Sequence, residues 1–192
     1  MARPRSVSDE DILHAARAVF LAEGPAASIQ TIASRLGVSH ATLFGRFGTK
    51  EHLMIAALGP PERLPFPEGT AEGPDERPAR AQLVEIARAL AGFFDAYVPG
   101  IAVLNAAGVT PQRAYAHRSV PPPQAAQRAL ADWLRRADAQ GKVRCQHPDA
   151  AAIAMIGALH GRAFLRSMAP SEAPGLDVEQ LVEAFWSGLE PR

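Results

Sequence analysis

Residues 28–53 read SIQTIASRLGVSHATLFGRFGTKEHL, and this stretch decides the fold. Its apolar residues recur at helical spacing, and glycines interrupt the pattern at Gly37 and Gly48. Ser28, Ser39 and Thr49 each stand just before an apolar run, where a hydroxyl can cap a helix. The stretch therefore predicts three short consecutive helices, with a tight turn over residues 37–39 between the first two.

A longer helix is predicted just before this stretch. Ser8, with Asp11 three residues later, resembles a capping box, and Gly24 followed by Pro25 ends the apolar pattern. The second and third helices are under ten residues each, so they are marginal alone and must pack on the first. Two helices joined by a short glycine turn indicate a helix-turn-helix.

The third helix is expected to divide into an inner and an outer face. Leu43 and Phe47 lie four residues apart and are predicted to face the core. The other positions carry small or hydrogen-bonding side chains, which allow a helix to approach base edges closely. This predicted reading face consists of Ser39, His40, Ala41, Thr42, Gly45 and Arg46.

The same stretch carries a local positive charge. The formal net charge of the chain is +0, so affinity for nucleic acid must come from a local patch. Residues 24–50 contain Arg35, Arg46 and Lys50 and no acidic residue. Lys50 follows the Thr49 cap, where free backbone N–H groups favour an anion, and it is predicted to anchor a DNA phosphate.

The stretch resembles the DNA-binding region of tetracycline-repressor-like (TetR family) regulators. The residues that fit the family pattern are Ser28, Ile32, Ala33, Gly37, Val38, Ser39, Thr42, Leu43, Phe44, Phe47, Lys50, Glu51 and Leu53. The resemblance covers about residues 8–58. It implies a homodimeric transcription regulator that binds double-stranded DNA and a small-molecule effector.

The sequence departs from the family pattern at four points. Phe44 replaces a usual Tyr, so a hydroxyl that could bind a phosphate is missing, and the ring either packs inward or contacts DNA. Ala41 replaces a common Gly, and Arg46 a common His. The usual long fourth helix is predicted to stop at Leu58, before a Gly-Pro-Pro run. Ser28 and Gln30 complete the predicted DNA contacts, whereas His40 is either a contact or an exposed bystander.

The rest of the chain predicts an all-α protein of about nine helices. Nine of the twenty residues 59–78 are glycine or proline, which predicts a linker. The predicted domains are therefore a helix-turn-helix DNA-binding domain (1–58), the linker (59–78) and a helical effector-binding and dimerisation domain (79–192). In the last domain a helix is predicted from about 80 to 98, closed by Pro99 and Gly100, with a short helix near 101–107. Helices at 124–140, 149–168 and 177–188 follow.

Two sets of residues are proposed in the third domain. The first could line a ligand pocket, although core packing or surface exposure is the alternative for each member: Phe93, Tyr97, Arg113, His117, Trp133, Met155, His160 and Phe164. The family resemblance places the dimer interface on the last two helices. Their compatible residues are Ala154, Gly157, Ala158, Gly161, Leu181, Phe185, Trp186 and Leu189.

Several functional classes are disfavoured. Cys145 is the only cysteine, which excludes an internal disulfide and a multi-cysteine zinc site. No catalytic spacing is recognisable, so we expect no enzyme, no metal and no cofactor. Without an apolar signal core or membrane span, we expect a cytoplasmic protein. The sequence favours a ligand-released repressor on a palindromic operator; the alternative is a DNA-binding regulator without a small-molecule effector.

Overall fold

The computed structural model describes residues 7–61, 64–114, 116, 120–168 and 177–188. Within these ranges the chain forms helices and no strand, which confirms the all-α prediction. The helices are α1 (Asp9–Glu23), α2 (Ile29–Leu36), α3 (His40–Phe47), α4 (Lys50–Leu58), α5 (Ala79–Ala106), α6 (Pro111–Ala114), α7 (Pro122–Ala139), α8 (Pro148–Met168) and α9 (Val178–Trp186). Two 3-10 turns, Gly24–Ala26 and Thr70–Glu72, lie between helices.

The chain divides into two compact units. The first contains Met1–Pro60 and Pro99–His117, and the second contains Pro61–Val98 and Arg118–Arg192. The division between them falls at the start of the predicted linker, but the first unit also takes in residues 99–117. The three domain limits predicted from the sequence remain a prediction.

The four helices α1–α4 begin where the hydroxyl caps predict. Ser8 Oγ accepts a hydrogen bond from Asp11 N at 3.1 Å, and the Asp11 carboxylate accepts one from Ser8 N, which completes a capping box. Ser28, Ser39 and Thr49 cap the next three helices, each accepting a backbone N–H at 3.0 to 3.1 Å. Each cap satisfies a donor that the helix itself cannot, so these starts are fixed by local chemistry.

The first unit has its own apolar core. Its fully buried side chains come from all four N-terminal helices: Ile12, Val19 and Phe20 from α1, Ile32 from α2, Leu43 from α3, and Leu53 and Leu58 from α4. Leu104, Val109 and Ala114 join the same cluster from the later segment. Residues 99–114 are therefore an integral part of the packing of this unit.

The predicted helix end at Pro99 and Gly100 is wrong, because α5 continues through both residues to Ala106. An internal proline costs about 3 kcal/mol, through a lost hydrogen bond and a ring clash. Burial of Leu104 in the first core offsets that cost. Gly100 allows close packing, since a Cβ there would lie 2.7 Å from the Leu58 carbonyl oxygen. The helix ends instead at Ala106, two residues before Gly108, where φ is 75°.

The second unit packs helices α7, α8 and α9 with the first part of α5. Its fully buried side chains include Leu83, Ile86 and Leu90 from α5 and Leu130, Trp133 and Leu134 from α7. Asp177 begins α9 as predicted, since its carboxylate accepts a hydrogen bond from Glu179 N. Two ion pairs, Arg80–Glu183 and Arg88–Glu179, join α5 to α9.

Residues 64–78 belong to the second unit and pack against its helices. The segment forms one 3-10 turn and no longer helix, and Thr70, Gly73 and Pro74 are buried. The buried Gln82 side chain accepts from Asp75 N at 3.0 Å and donates to the Arg77 carbonyl at 2.8 Å. These contacts hold the proline-rich segment in place through its backbone, which gives it a structural role beyond that of a spacer.

Among the described helices, α5 alone is long and apolar enough to cross a membrane by length and composition. Its apolar side chains are used inside the protein, since Leu83, Leu90 and Leu104 are each no more than 1% exposed. Its hydropathy is therefore that of a core helix.

Candidate nucleic-acid interface

The α2–turn–α3 unit is built on Gly37. This residue takes the left-handed conformation, with φ 66° and ψ 28°, and its N–H bonds back to the end of α2. Val38 N donates to Ala33 O at 3.1 Å, which closes the turn. Leu43 is buried, and Leu36 and Phe47 pack half-buried against the same core. The inner face of α3 is thus fixed by packing as predicted.

The opposite face of α3 is open to solvent. All six residues of the predicted reading face, Ser39, His40, Ala41, Thr42, Gly45 and Arg46, are exposed. A Cβ built on Gly45 would meet nothing within 4 Å. This turn of α3 can therefore approach a surface closely, as a helix in the major groove must.

Local contacts pre-order the side chains on this face. The Ser39 and Thr42 hydroxyls lie 2.8 Å apart, and Ser39 Oγ also caps the helix. The rings of His40 and Phe44 are 4.4 Å apart. Phe44 is 36% exposed, so its ring lies on the outer side of α3 and adds an apolar patch there. The Phe44 ring can therefore meet an apolar group such as a thymine methyl.

The predicted contacts on α2 also reach the surface. Ser28 and Gln30 are exposed at the first turn of α2. Ser28 Oγ accepts the Gln30 backbone N–H at 3.1 Å, so it serves the helix as its cap. The Gln30 side chain is an exposed amide donor and acceptor, a type that can pair with a base edge.

Arg46 is held by the start of α1. Its Nη1 donates to the Val7 carbonyl oxygen at 2.6 Å and lies 3.2 Å from Asp9 Oδ1. The two residues are 39 and 37 positions away along the chain, and nothing in the local sequence pattern indicated the contact. Residues 24–50 contain three described cations, Arg35, Arg46 and Lys50. The ion pair to Asp9 belongs to Arg46.

The Lys50 side chain reaches the turn that precedes α2. Its Nζ donates to the Pro25 carbonyl oxygen at 2.7 Å, and the side chain is half-buried. The ammonium therefore lies over the turn between α1 and α2 instead of extending from the start of α4. A carbonyl does not neutralise the charge, so Lys50 keeps its positive charge and free donors for an anion.

The predicted ligand-pocket residues fall into separate environments. Phe93 and Tyr97 are stacked at 5.3 Å between ring centroids and are mostly buried. His160 is exposed and meets the edge of Phe94 at 5.4 Å. Arg113 belongs to the first unit and pairs with Glu51 at 2.6 Å. His117 lies outside the described residues.

Three further candidates for the pocket are placed as follows. Trp133 lines a cavity of about 180 Å³ beneath residues 67–75, and Met155 lines one of about 190 Å³ with Leu134 and Phe185. Both volumes are below the roughly 300–1,000 Å³ of typical small-molecule sites. Phe164 is 48% exposed, on the outer side of α8. The structure does not bring the predicted set into one described cavity.

The outer side of α8 carries an apolar stripe. Ile153, Phe164, Leu165 and Met168 are 48 to 69% exposed. They share this side with the predicted dimer residue Gly157, where a Cβ would meet nothing within 4 Å. Of the other predicted dimer residues, Ala154 is exposed and Ala158, Gly161, Leu181, Phe185 and Trp186 are half-buried; Leu189 lies outside the described residues.

The described histidine, cysteine and acidic side chains were predicted to form no metal site. In the described ranges, no three His, Cys, Asp or Glu side chains are grouped so that they could hold a metal ion. Cys145 is buried, and burial raises the pKa of its thiol, which makes the thiolate scarce.

Two family models match the chain. Residues 12–57 match the model of bacterial regulatory proteins of the tetR family, and residues 109–185 match the C-terminal domain of AefR-like transcriptional repressors. A comparison with curated proteins gives no match.

Solved structures resemble the chain over nearly its full length. The TetR transcriptional regulator SCO0520 from Streptomyces coelicolor is 28% identical, with 96% of this chain and 99% of that one covered and a TM-score of 0.65. The flavonoid-responsive regulator FrrA is 25% identical, with coverage of 94% and 96% and a TM-score of 0.57. SmeT in complex with triclosan is 20% identical, with coverage of 94% and 90% and a TM-score of 0.66, and shows the shared fold.

Proposed function

Because the chain belongs to the TetR family of bacterial regulatory proteins and is a transcriptional regulator, we propose that it is a homodimeric repressor released from a palindromic operator by a small molecule. The observation that carries the DNA-binding part is the reading face of α3. This face consists of five exposed residues of α3 and its N-cap Ser39, all small or hydrogen-bonding, and the other side of α3 packs in the core. A helix of eight residues is about 12 Å long, which suits the width of a major groove.

The apolar stripe on α8 supports the dimer. Four large apolar side chains are exposed along α8, the helix that carries Gly157, and a monomer gains nothing from exposing them together. A second copy related by a two-fold axis would cover the stripe, and two-fold dimers of helix-turn-helix proteins bind half-sites about 34 Å apart. That spacing corresponds to one turn of DNA, so the operator would be palindromic.

A small-molecule effector is supported by the second unit and by a relative. Phe93, Phe94 and Tyr97 form a buried aromatic cluster on α5, and aromatic side chains of this type suit contact with an apolar ligand. The 25% identical regulator FrrA is flavonoid-responsive. We therefore propose that an apolar, aromatic molecule binds the second unit and lowers the affinity for DNA through linkage. Such a regulator would work in the cytoplasm and would not be an enzyme.

The second candidate is a DNA-binding regulator without a small-molecule effector. One observation favours it: α4 ends at Leu58, so it is too short to act as a long lever from a ligand site. In that case a protein partner or the concentration of the regulator would control occupancy of the operator.

Two assays on the same samples separate these candidates. A thermal-shift screen of apolar aromatic compounds identifies binders, and fluorescence anisotropy then measures release of labelled operator DNA. The repressor proposal expects at least one compound to raise the unfolding temperature and release DNA, with reciprocal weakening of the compound by operator. Binders that leave DNA affinity unchanged would favour the second candidate.

A further inference from the structure

We propose that Asp9 competes with DNA for Arg46 and thereby lowers the affinity of the reading face for DNA in general. The inference rests on the proposed DNA-binding function. It adds a residue outside the helix-turn-helix to the set that determines how tightly DNA is held.

The geometry places the Asp9 carboxylate next to the Arg46 guanidinium. Arg46 Nη1 donates to the Val7 carbonyl at 2.6 Å and lies 3.2 Å from Asp9 Oδ1. Asp9 is 68% and Arg46 37% exposed at the side chain, so the pair lies at the surface, where a phosphate could reach it. A guanidinium prefers a phosphate or a carboxylate in the same planar geometry, so the two anions would occupy the same donors.

The charge balance favours competition over assistance. Asp9 cancels the charge of Arg46 in the free protein, whereas the Lys50 charge rests on a neutral carbonyl. A carboxylate 3.2 Å from a DNA-facing cation also repels an approaching phosphate. A phosphate that takes the place of Asp9 beside Arg46 would therefore let this cation release one more counterion from the duplex.

The test compares Asp9→Asn with Glu10→Gln. Both changes remove one negative charge from the first turn of α1, and both residues are exposed. Their effects on the helix dipole and on overall charge are therefore matched, and the ion pair to Arg46 is what distinguishes them. Asn keeps a hydrogen-bonding side chain at position 9, while Asp9→Glu preserves the charge.

We measure the dissociation constant of a mixed-sequence DNA duplex by anisotropy over a series of salt concentrations. Because exposed ion pairs contribute little, Asp9→Asn should bind about twofold to fivefold more tightly than Glu10→Gln at low salt. Its salt slope should be steeper by about 0.9, since Arg46 then releases one more counterion. Asp9→Glu should behave like the wild type.

The same substitutions in an Arg46→Ala background show whether Asp9 acts through Arg46. There, Asp9→Asn and Glu10→Gln should be indistinguishable. Equal effects of the two variants in the presence of Arg46, or weaker binding by Asp9→Asn, would overturn the proposal while leaving DNA binding intact. Failure of the wild-type protein to bind any duplex would overturn both this proposal and the proposed function.

Discussion

The two cations at the candidate interface, Arg46 and Lys50, are held in ways that give them different roles. Arg46 shares its charge with Asp9, and Lys50 donates to the Pro25 carbonyl without being neutralised. We therefore expect Lys50 to supply a phosphate contact independent of sequence. Arg46, on the exposed side of α3, is expected to bind a phosphate or a base only when DNA replaces Asp9.

Lys50→Ala should weaken binding to all DNA sequences to a similar extent and reduce the salt slope by about 1, because one phosphate contact is lost. Anisotropy with specific and mixed-sequence duplexes measures both quantities. Arg128→Ala is the control, since it removes one exposed positive charge from the second unit. An unchanged slope in Lys50→Ala would rule out the assignment of Lys50 as a phosphate contact.

At this scale the sequence predicts which residues face outward but not what they touch. The period of α3 was sufficient to place Leu43 inside and Thr42 outside, because both follow from helix geometry. The partners Val7, Asp9 and Pro25 lie 25 to 39 positions from the cations they meet. Such contacts depend on how helices pack, and no local pattern encodes them.

At the scale of elements, caps and glycines set most helix limits. The starts of α1–α4 were predictable because a hydroxyl or a carboxylate satisfies the first free N–H groups over three residues. The continuation of α5 through Pro99 was not, because it depends on burial of Leu104 in a core assembled from distant helices. Gly100 makes that packing possible beside Leu58.

Gly100→Ala should destabilise the protein by about 1–3 kcal/mol, because its Cβ would lie 2.7 Å from a backbone carbonyl that cannot move freely. Gly92→Ala, on the exposed side of the same helix, meets nothing within 4 Å. It should stabilise by about 0.5–1 kcal/mol through helix propensity. Urea unfolding of both variants measures the difference, and a shared sign of the two effects would contradict the close approach of α5 to α4.

At the scale of the whole molecule, the exposed stripe on α8 is the feature that a single chain leaves uncovered. The sequence suggested the small residues of this helix as an interface. The sequence pattern does not identify Ile153, Leu165 and Met168 as interface residues, and it suggests Phe164 for a pocket. The reason is that the apolar run of α8 has no polar face to show which side is buried. Only the packing of α8 on its neighbours distinguishes them.

Gly157→Leu should convert the protein to a monomer while leaving each chain folded. The added side chain has open space within one chain but would separate two copies of α8 packed at this glycine. Gly92→Leu adds the same side chain to another open helical site and should remain a dimer. Analytical ultracentrifugation gives the masses, and a dimeric Gly157→Leu would place the interface elsewhere.

In vitro selection from random DNA shows whether the outer face of α3 reads a palindromic operator. The wild type should enrich an inverted repeat with half-site centres about 10 base pairs apart, or a multiple of that spacing. A variant with alanine at His40 and Thr42 should change the preferred bases at equivalent positions in both half-sites. The matched variant with alanine at His14 and Ser34, which are exposed on α1 and α2, should keep the wild-type motif. Enrichment of no inverted repeat, or equal changes in the two variants, would mean that α3 does not read a palindromic operator.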